Sequence, residues 1–234
     1  MKLVERLKSA PTRLAAPLVG YPAVAYTGTT VEEALKDARV QAEALLAFAA
    51  AAKPDVLFPF MDLSVESEAL GLPIRFKEMD SPDITDHPVK AADDLARLAD
   101  PRVPDGGRFP VVLETIQILK AESDATVGGY LASPFTLAGQ LMSAEEISVN
   151  TMLDPDLCHT ALDFACRVTC DFAAAQEEAG ADFVVLLEPT AALLSPELYE
   201  RFVGPYVRRV VERVDVPVVL HVCGQTTKLI PSFV

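Results

Sequence analysis

The sequence has few basic side chains. Twenty Lys and Arg stand against 34 Asp and Glu in 234 residues, so the formal net charge is −14 at pH 7. Nucleic acids and anionic membranes are bound by basic patches, and this deficit argues against both kinds of partner. Long apolar runs are also missing. The longest, residues 42–52, is rich in alanine, contains Glu43 and is too short to span a bilayer.

Cysteines are scarce, and their spacing is not that of a disulfide framework. The four are Cys158, Cys166, Cys170 and Cys223. The first eight residues carry a charge every few positions, which is unlike a secretory signal peptide. We therefore expect a cytoplasmic protein whose thiols are free or bound to metal.

Apolar segments without polar alternation are separated by helical segments along the whole chain. This pattern predicts parallel strands that are buried on both faces. The predicted strands, about five in number, are residues 15–20, 55–60, 125–132, 181–187 and 216–222. An eight-stranded barrel needs about 250 residues. We predict one domain over residues 1–234, an α/β (β/α)8 TIM barrel of which the chain contains roughly the first five βα units and lacks the C-terminal part. An open five-stranded sheet is the alternative.

The segment 74–89 is predicted to be irregular, because it contains two prolines and several acidic residues. A segment of this length and composition in a compact domain is often a lid or a binding loop.

Polar residues follow the predicted strands at their carboxyl ends, where parallel α/β proteins carry their functional groups. They are Asp62, Ser133, Glu188, His221 and Cys223. Asp62 and Glu188 are candidate catalytic carboxylates, but each could equally cap the helix that follows it. Ser133 is more easily explained as a helix N-cap.

His221 and Cys223 are candidate metal ligands. Residues two apart in a strand point to the same face, and imidazole and thiolate are the usual ligands of zinc. A buried cysteine is, however, more often a small apolar side chain than a ligand. The spacing alone therefore leaves both interpretations open.

Residues 220–227, Leu-His-Val-Cys-Gly-Gln-Thr-Thr, resemble the His-x-Cys-Gly-Asn/Gln-Thr motif of the corrinoid-dependent methyltransferases. These enzymes, which use coenzyme M or tetrahydrofolate, belong to the uroporphyrinogen decarboxylase superfamily. Residues 62–71, 133–138 and 188–199 are similar to further segments of that family, so the resemblance extends over nearly the whole chain. One departure is Glu188, where aspartate is more familiar.

The resemblance implies a TIM barrel whose zinc is held by His221, Cys223 and a further cysteine beyond Val234. It also implies that Asp62 and Glu188 are catalytic and that Ser133 and Gln225 bind the cofactor. The methyl donor would be methyl-cob(III)alamin, a corrinoid carried by a separate corrinoid protein or, as in some relatives, by a fused domain. The small-molecule methyl acceptor would be a thiol such as coenzyme M, which zinc makes nucleophilic, or tetrahydrofolate, as in one-carbon metabolism.

The nearest alternative is uroporphyrinogen decarboxylase, which has the same fold and no metal. That enzyme stabilises a protonated pyrrole with an aspartate, for which Asp62 is a candidate, and binds substrate carboxylates with N-terminal arginines. Residues 14–28 contain no arginine, and only Arg13 is close. Since a polycarboxylate substrate needs such cations, we favour the methyltransferase. A non-catalytic tetrapyrrole-binding relative is the other alternative.

Overall fold

The computed structural model describes residue 5, residues 8–99, residue 103 and residues 105–233. The strands are β1 Val56–Leu57, β2 Ile74–Lys77, β3 Asp80–Ile84, β4 Thr126–Ala132, β5 Phe183–Leu187 and β6 Val218–His221. Two short ladders connect β1 to β4 and β2 to β3, and longer ladders connect β4, β5 and β6. The helices are α1 Val31–Lys36, α2 Ala38–Ala52, α3 Val65–Ala69, α4 Ala92–Leu95, α5 Phe109–Glu122, α6 Pro134–Met142, α7 Ala144–Leu153, α8 Pro155–Glu178, α9 Pro196–Phe202 and α10 Gly204–Arg213.

The main sheet is parallel, with strand order β1-β4-β5-β6. This confirms the predicted α/β class and the four predicted strands from residue 55 onward. The described residues supply four parallel strands rather than five, because residues 15–20 form no strand. The carbonyl of Ala15 accepts hydrogen bonds from the N–H groups of Asp55 and Val56. Pro17 then lacks the N–H that a continuing ladder would need.

The prediction that residues 74–89 are irregular is wrong for residues 74–84. β2 and β3 form an antiparallel hairpin in which Ile74 pairs with Ile84 and Arg75 with Asp83. The Arg75 guanidinium lies 2.5 Å from the Asp83 carboxylate across the strands. Opposite charges at directly facing positions stabilise such a pair. Pro82 is tolerated because a two-stranded hairpin consists only of edges.

The two faces of the main sheet are packed differently. One face contacts the helices, and α8 contributes the buried Gln176, whose side-chain amide donates to the Tyr130 carbonyl at 2.8 Å. A Cβ on Gly129 would lie 2.0 Å from the Gln176 Oε1 atom, so this close approach requires glycine. The other face carries a separate buried cluster of Val56, Phe58, Tyr130, Phe183, Val185 and Leu187.

The helices of the described residues include none with the length and apolar character that a membrane crossing requires.

Candidate functional site at the strand ends

Three strands end at the same level. Ala132, Leu187 and His221 occupy one register row across β4, β5 and β6. The row continues one residue further through the backbone, because Ser133 N–H donates to the Leu187 carbonyl at 3.0 Å and Glu188 N–H donates to the His221 carbonyl at 2.8 Å. The structure therefore brings the predicted residues 133, 188 and 221 together at one edge of the sheet.

Glu188 is fully buried beside the first turn of α6. Its Oε1 atom accepts a hydrogen bond from the Thr136 hydroxyl at 2.5 Å, whereas its Oε2 atom has no partner among the residues that the structure describes. Burial raises the pKa of Glu188 to about 7, although the nearby Thr136 and Ser133 hydroxyls lower it in part. The side chain does not cap the short 3-10 helix that follows, so the capping interpretation of this residue is wrong.

Ser133 occupies the N-cap position of α6, but its hydroxyl makes no capping hydrogen bond. The hydroxyl is fully buried and has no partner of regular hydrogen-bond geometry within the described part of the chain. It lies close enough to Glu188 to lower the pKa of that carboxyl. Two buried polar groups without complete hydrogen bonding, Ser133 and Glu188, thus lie side by side.

His221 is the last residue of β6 and is half-buried, whereas Cys223 lies two residues beyond the strand and is exposed. Gly224 follows with a φ of +92°, which turns the chain, and Gln225 is exposed. The two candidate ligands have the donor types that zinc prefers. Over the described residues, no group of three or more His, Cys, Asp and Glu side chains could hold a metal ion. A zinc site here would need a further ligand from outside them.

Asp62 follows the end of β1 and forms a buried ion pair that the sequence did not predict. Its side chain is 2% exposed and lies 2.5 Å from a guanidinium nitrogen of Arg108, which is 8% exposed. Its other oxygen accepts hydrogen bonds from the backbone N–H and the hydroxyl of Ser64 at 2.8 and 2.7 Å. Arg108 also pairs with Glu68 and donates to the Ser64 hydroxyl at 2.9 Å.

Sequence reasoning missed Arg108 because it is separated from Asp62 by 46 residues. The only local signal is the glycine pair before it. Gly107 has a φ of +51°, and a Cβ there would lie 2.9 Å from the Ala69 backbone nitrogen. This tight approach brings Arg108 against α3.

Glu66 was also missed, although it lies within the segment 62–71 that carries the family resemblance. It is 1% exposed, and its Oε1 atom accepts a hydrogen bond from the Ala132 N–H at 2.6 Å. Its Oε2 atom has no partner in the described structure. Burial, with a smaller contribution from the Asp62 charge, raises the pKa of Glu66 to about 7. Glu66 and Glu188 therefore lie on either side of the segment that leaves β4.

A cleft of about 560 Å³ lies next to Asp62. One wall comes from the end of β1 and the other from the β2–β3 hairpin, so the segment predicted to be a binding loop does border a cleft. Arg75 and Asp83 of the hairpin face this space together with Gln140 from α6. The remaining lining residues are Tyr21, Met61, Asp62, Leu63, Ser64, Ser81, Pro82 and Ile84.

The sequence is similar to curated proteins with two different activities. A Methylated-thiol–coenzyme M methyltransferase of Methanosarcina mazei is 32% identical over 74% of this chain and 48% of its own length. A Methylcobamide:CoM methyltransferase of the same organism is 30% identical over 90% of this chain and 67% of its own length. Uroporphyrinogen decarboxylases also match, at 27% to 31% identity.

A solved structure of a methyltransferase has a similar fold. A methyltransferase from Methanosarcina mazei matches with a TM-score of 0.82 and 27% identity, over 95% of this chain and 68% of its own. This chain thus spans about half to two thirds of the length of the relatives that it matches. The sequence profile of the family described as "Uroporphyrinogen decarboxylase (URO-D)" matches residues 7–234. The chain belongs to the uroporphyrinogen decarboxylase family.

Proposed function

We propose that the protein is a corrinoid-dependent methyltransferase that moves a methyl group from methyl-cob(III)alamin to a small acceptor. The observation that carries the proposal is the strand-end row, in which His221 ends β6 with its carbonyl bound by Glu188 N–H and Cys223 follows two residues later. The chain that holds this row is similar over 90% of its length to a Methylcobamide:CoM methyltransferase. A separate corrinoid protein is the proposed donor partner. The acceptor is a thiol such as coenzyme M, or tetrahydrofolate. A cytoplasmic location belongs to the same proposal.

Each residue of the row has a part in this proposal. The hydrogen bond from Glu188 N–H to the His221 carbonyl holds the end of β6 against β5 at 2.8 Å. His221 and Cys223 are the proposed zinc ligands, completed by at least one group outside the described residues. Bound zinc would favour the thiolate form of a thiol acceptor. Ser133 and Glu188 are fully buried just behind the row, and the Ser133 hydroxyl and Glu188 Oε2 lack regular hydrogen-bond partners among the described residues. In this proposal Ser133 remains the cofactor contact and Glu188 the catalytic carboxyl. Gln225, exposed just past the turn, remains a proposed cofactor contact.

The buried pair of Asp62 and Arg108 disfavours the decarboxylase alternative. In that reaction an aspartate stabilises a positively charged pyrrole. Here the negative charge of Asp62 is already balanced by Arg108 at 2.5 Å, and Arg108 itself is shared with Glu68. Arg108 is therefore not free to bind the carboxylates of a porphyrinogen either. Asp62 is better explained as a catalytic-site residue that Arg108 holds in place.

Two measurements on the full-length protein test the proposal. Methylcobalamin is supplied with coenzyme M, homocysteine or tetrahydrofolate, and its demethylation is followed by absorbance. Zinc content is measured for the wild type, Cys223→Ala and the control Cys170→Ala, which changes a half-buried cysteine on α8. We expect one acceptor to react, and one equivalent of zinc to be lost in Cys223→Ala alone. Decarboxylation of uroporphyrinogen, with no reaction of any acceptor, would overturn the proposal.

A further inference from the structure

Glu66 makes a contact that joins two parts of the site. It lies on α3, immediately after the loop that carries Asp62, and its Oε1 atom accepts the N–H of Ala132 at the end of β4. Ala132 belongs to the register row that ends at His221. A single carboxyl therefore connects the Asp62 side of the site to the row. Adjacent strands are about 4.8 Å apart, so Ala132 lies roughly 10 Å from His221 across the sheet.

The charges around Glu66 do not favour its ionised form. Arg108 is the nearby cation, but it is already shared between Asp62 and Glu68. The charge of Asp62, which has the same sign, raises the pKa of Glu66 more than the charge of Arg108 lowers it. Helix α6, which packs against α3, carries no charged residue, and α5 carries none before Glu114. An unpaired carboxylate in such a place is strongly disfavoured.

The hydrogen bonds of Glu66 are too few for a buried charge. One oxygen accepts the Ala132 N–H, which by itself lowers the pKa but does not offset the effect of burial. The other, Oε2, is fully buried and has no hydrogen-bond partner among the described residues. An unpaired charged oxygen in such a place costs more free energy than an unpaired neutral hydroxyl, so the neutral acid is favoured.

We propose that Glu66 is a positioning residue that works as a neutral carboxylic acid, holding the end of β4 while adding no second negative charge beside Asp62. When Glu66 loses its proton above about pH 7, a third carboxylate joins Asp62 and Glu68 around the single Arg108. The Ala132 N–H can still donate to the ionised group, but the uncompensated buried charge disfavours the packing of α3 against the register row. The role in catalysis rests on the proposed methyl transfer. The protonation state of Glu66 does not.

Infrared spectroscopy tests the protonation state without any assay of activity. The C=O stretch of protonated carboxyl groups is recorded between pH 5 and pH 9 for the wild type, Glu66→Gln and the control Glu122→Gln, which changes an exposed glutamate paired with Arg39. Because Glu188 is also buried with a pKa raised to about 7, two carboxyl groups should absorb at pH 6 and lose this absorbance by about pH 8. We expect the absorbance at pH 6 to fall by one carboxyl equivalent in Glu66→Gln and to be unchanged in Glu122→Gln. Identical spectra of wild type and Glu66→Gln at pH 6 would overturn the proposal.

The pH profile of methyl transfer tests the positioning role. Glutamine keeps the carbonyl oxygen for Ala132 N–H and cannot ionise, so Glu66→Gln should retain wild-type kcat/KM at pH 6. Above the pKa of Glu66 only the neutral fraction would be competent, so the ratio of Glu66→Gln to wild-type kcat/KM should rise about tenfold for each pH unit. A merely structural role would not change this ratio with pH.

Loss of activity in Glu66→Gln at every pH would show that the ionised form is needed and would refute the proposal. If no acceptor reacts with the wild type, the proposed function fails, and the infrared result still decides the protonation state of Glu66. The two failures are therefore distinguishable.

Discussion

Replacing Arg108 by methionine should destabilise the fold strongly. Methionine replaces the aliphatic part of the arginine side chain at similar length but lacks the positive charge. Asp62 is 2% exposed and would be left with an uncompensated charge, whereas Glu68 is 25% exposed and can turn to water. Breaking a buried ion pair at one partner costs about 3–5 kcal/mol. Loss of the contact between the guanidinium and the Phe76 ring, 4.8 Å from its centroid, adds about 0.5–1 kcal/mol.

The measurement is equilibrium unfolding in urea, with the free energy of unfolding extrapolated to water. The matched control is Arg209→Met. Arg209 pairs with Asp163 at the same 2.5 Å, but the side chains are 44% and 62% exposed. Exposed pairs contribute about 0.2–1 kcal/mol.

A double-mutant cycle isolates the buried charge. In the Arg108→Met background, Asp62→Asn should recover part of the lost stability, because the amide removes the stranded carboxylate. If Arg108→Met costs no more than Arg209→Met, or if Asp62→Asn destabilises both backgrounds equally, the reasoning about this ion pair is refuted.

Three further changes have defined outcomes. Gly129→Ala should cost several kcal/mol in urea unfolding, because its Cβ would lie 2.0 Å from the Gln176 side chain, whereas the control Gly204→Ala meets nothing closer than 3.8 Å and should be nearly neutral. Gln41→Leu should leave two buried backbone groups unpaired, the Ala34 carbonyl and the Phe60 N–H, both of which the Gln41 amide now binds at 2.8 Å. The expected cost is about 1–3 kcal/mol for each group, and the Phe60 amide should exchange its hydrogen faster. The stabilisation of the wild type relative to Glu66→Gln should be complete below about pH 4.5 and decline as pH rises through about 7. The decline should be about 3–4 kcal/mol at ~1.4 kcal/mol per pKa unit between 4.5 and about 7. A flat difference in unfolding free energy from pH 5 to pH 8 would contradict it.

The strands and the residues at their ends are the parts of the site that the sequence predicted. The apolar segments at residues 125–132, 181–187 and 216–222 contain β4, β5 and β6. Ser133 and Glu188 directly follow β4 and β5, and His221 is the last residue of β6, as predicted. Such a reading succeeds because a strand buried on both faces needs an uninterrupted apolar sequence. Residues 15–20 are equally apolar and form no strand, since pairing depends on the neighbouring chain and on the N–H that Pro17 lacks.

The burial and the partners of the acidic residues could not be predicted from the sequence in the same way. The sequence offers 34 acidic side chains and gives no indication that Glu66 is buried while Glu122 on α5 is exposed. Glu188 was predicted as a strand-end carboxylate, but its burial and its bond to Thr136, 52 residues away, were not. Asp62 was predicted to be a catalytic or helix-capping carboxylate, but its ion pair with Arg108 was not predicted.

The sequence by itself determined the α/β class, the parallel strand ends that carry Ser133, Glu188 and His221, and the family. These follow from local hydrophobic pattern and from motifs of adjacent residues, which need no knowledge of distant contacts. Only the tertiary structure decided that Arg108 neutralises Asp62 and that Glu66 holds the end of β4. Such pairings join residues 46 and 66 positions apart, and their strength depends on exclusion of water, which arises only when the helices pack on the sheet.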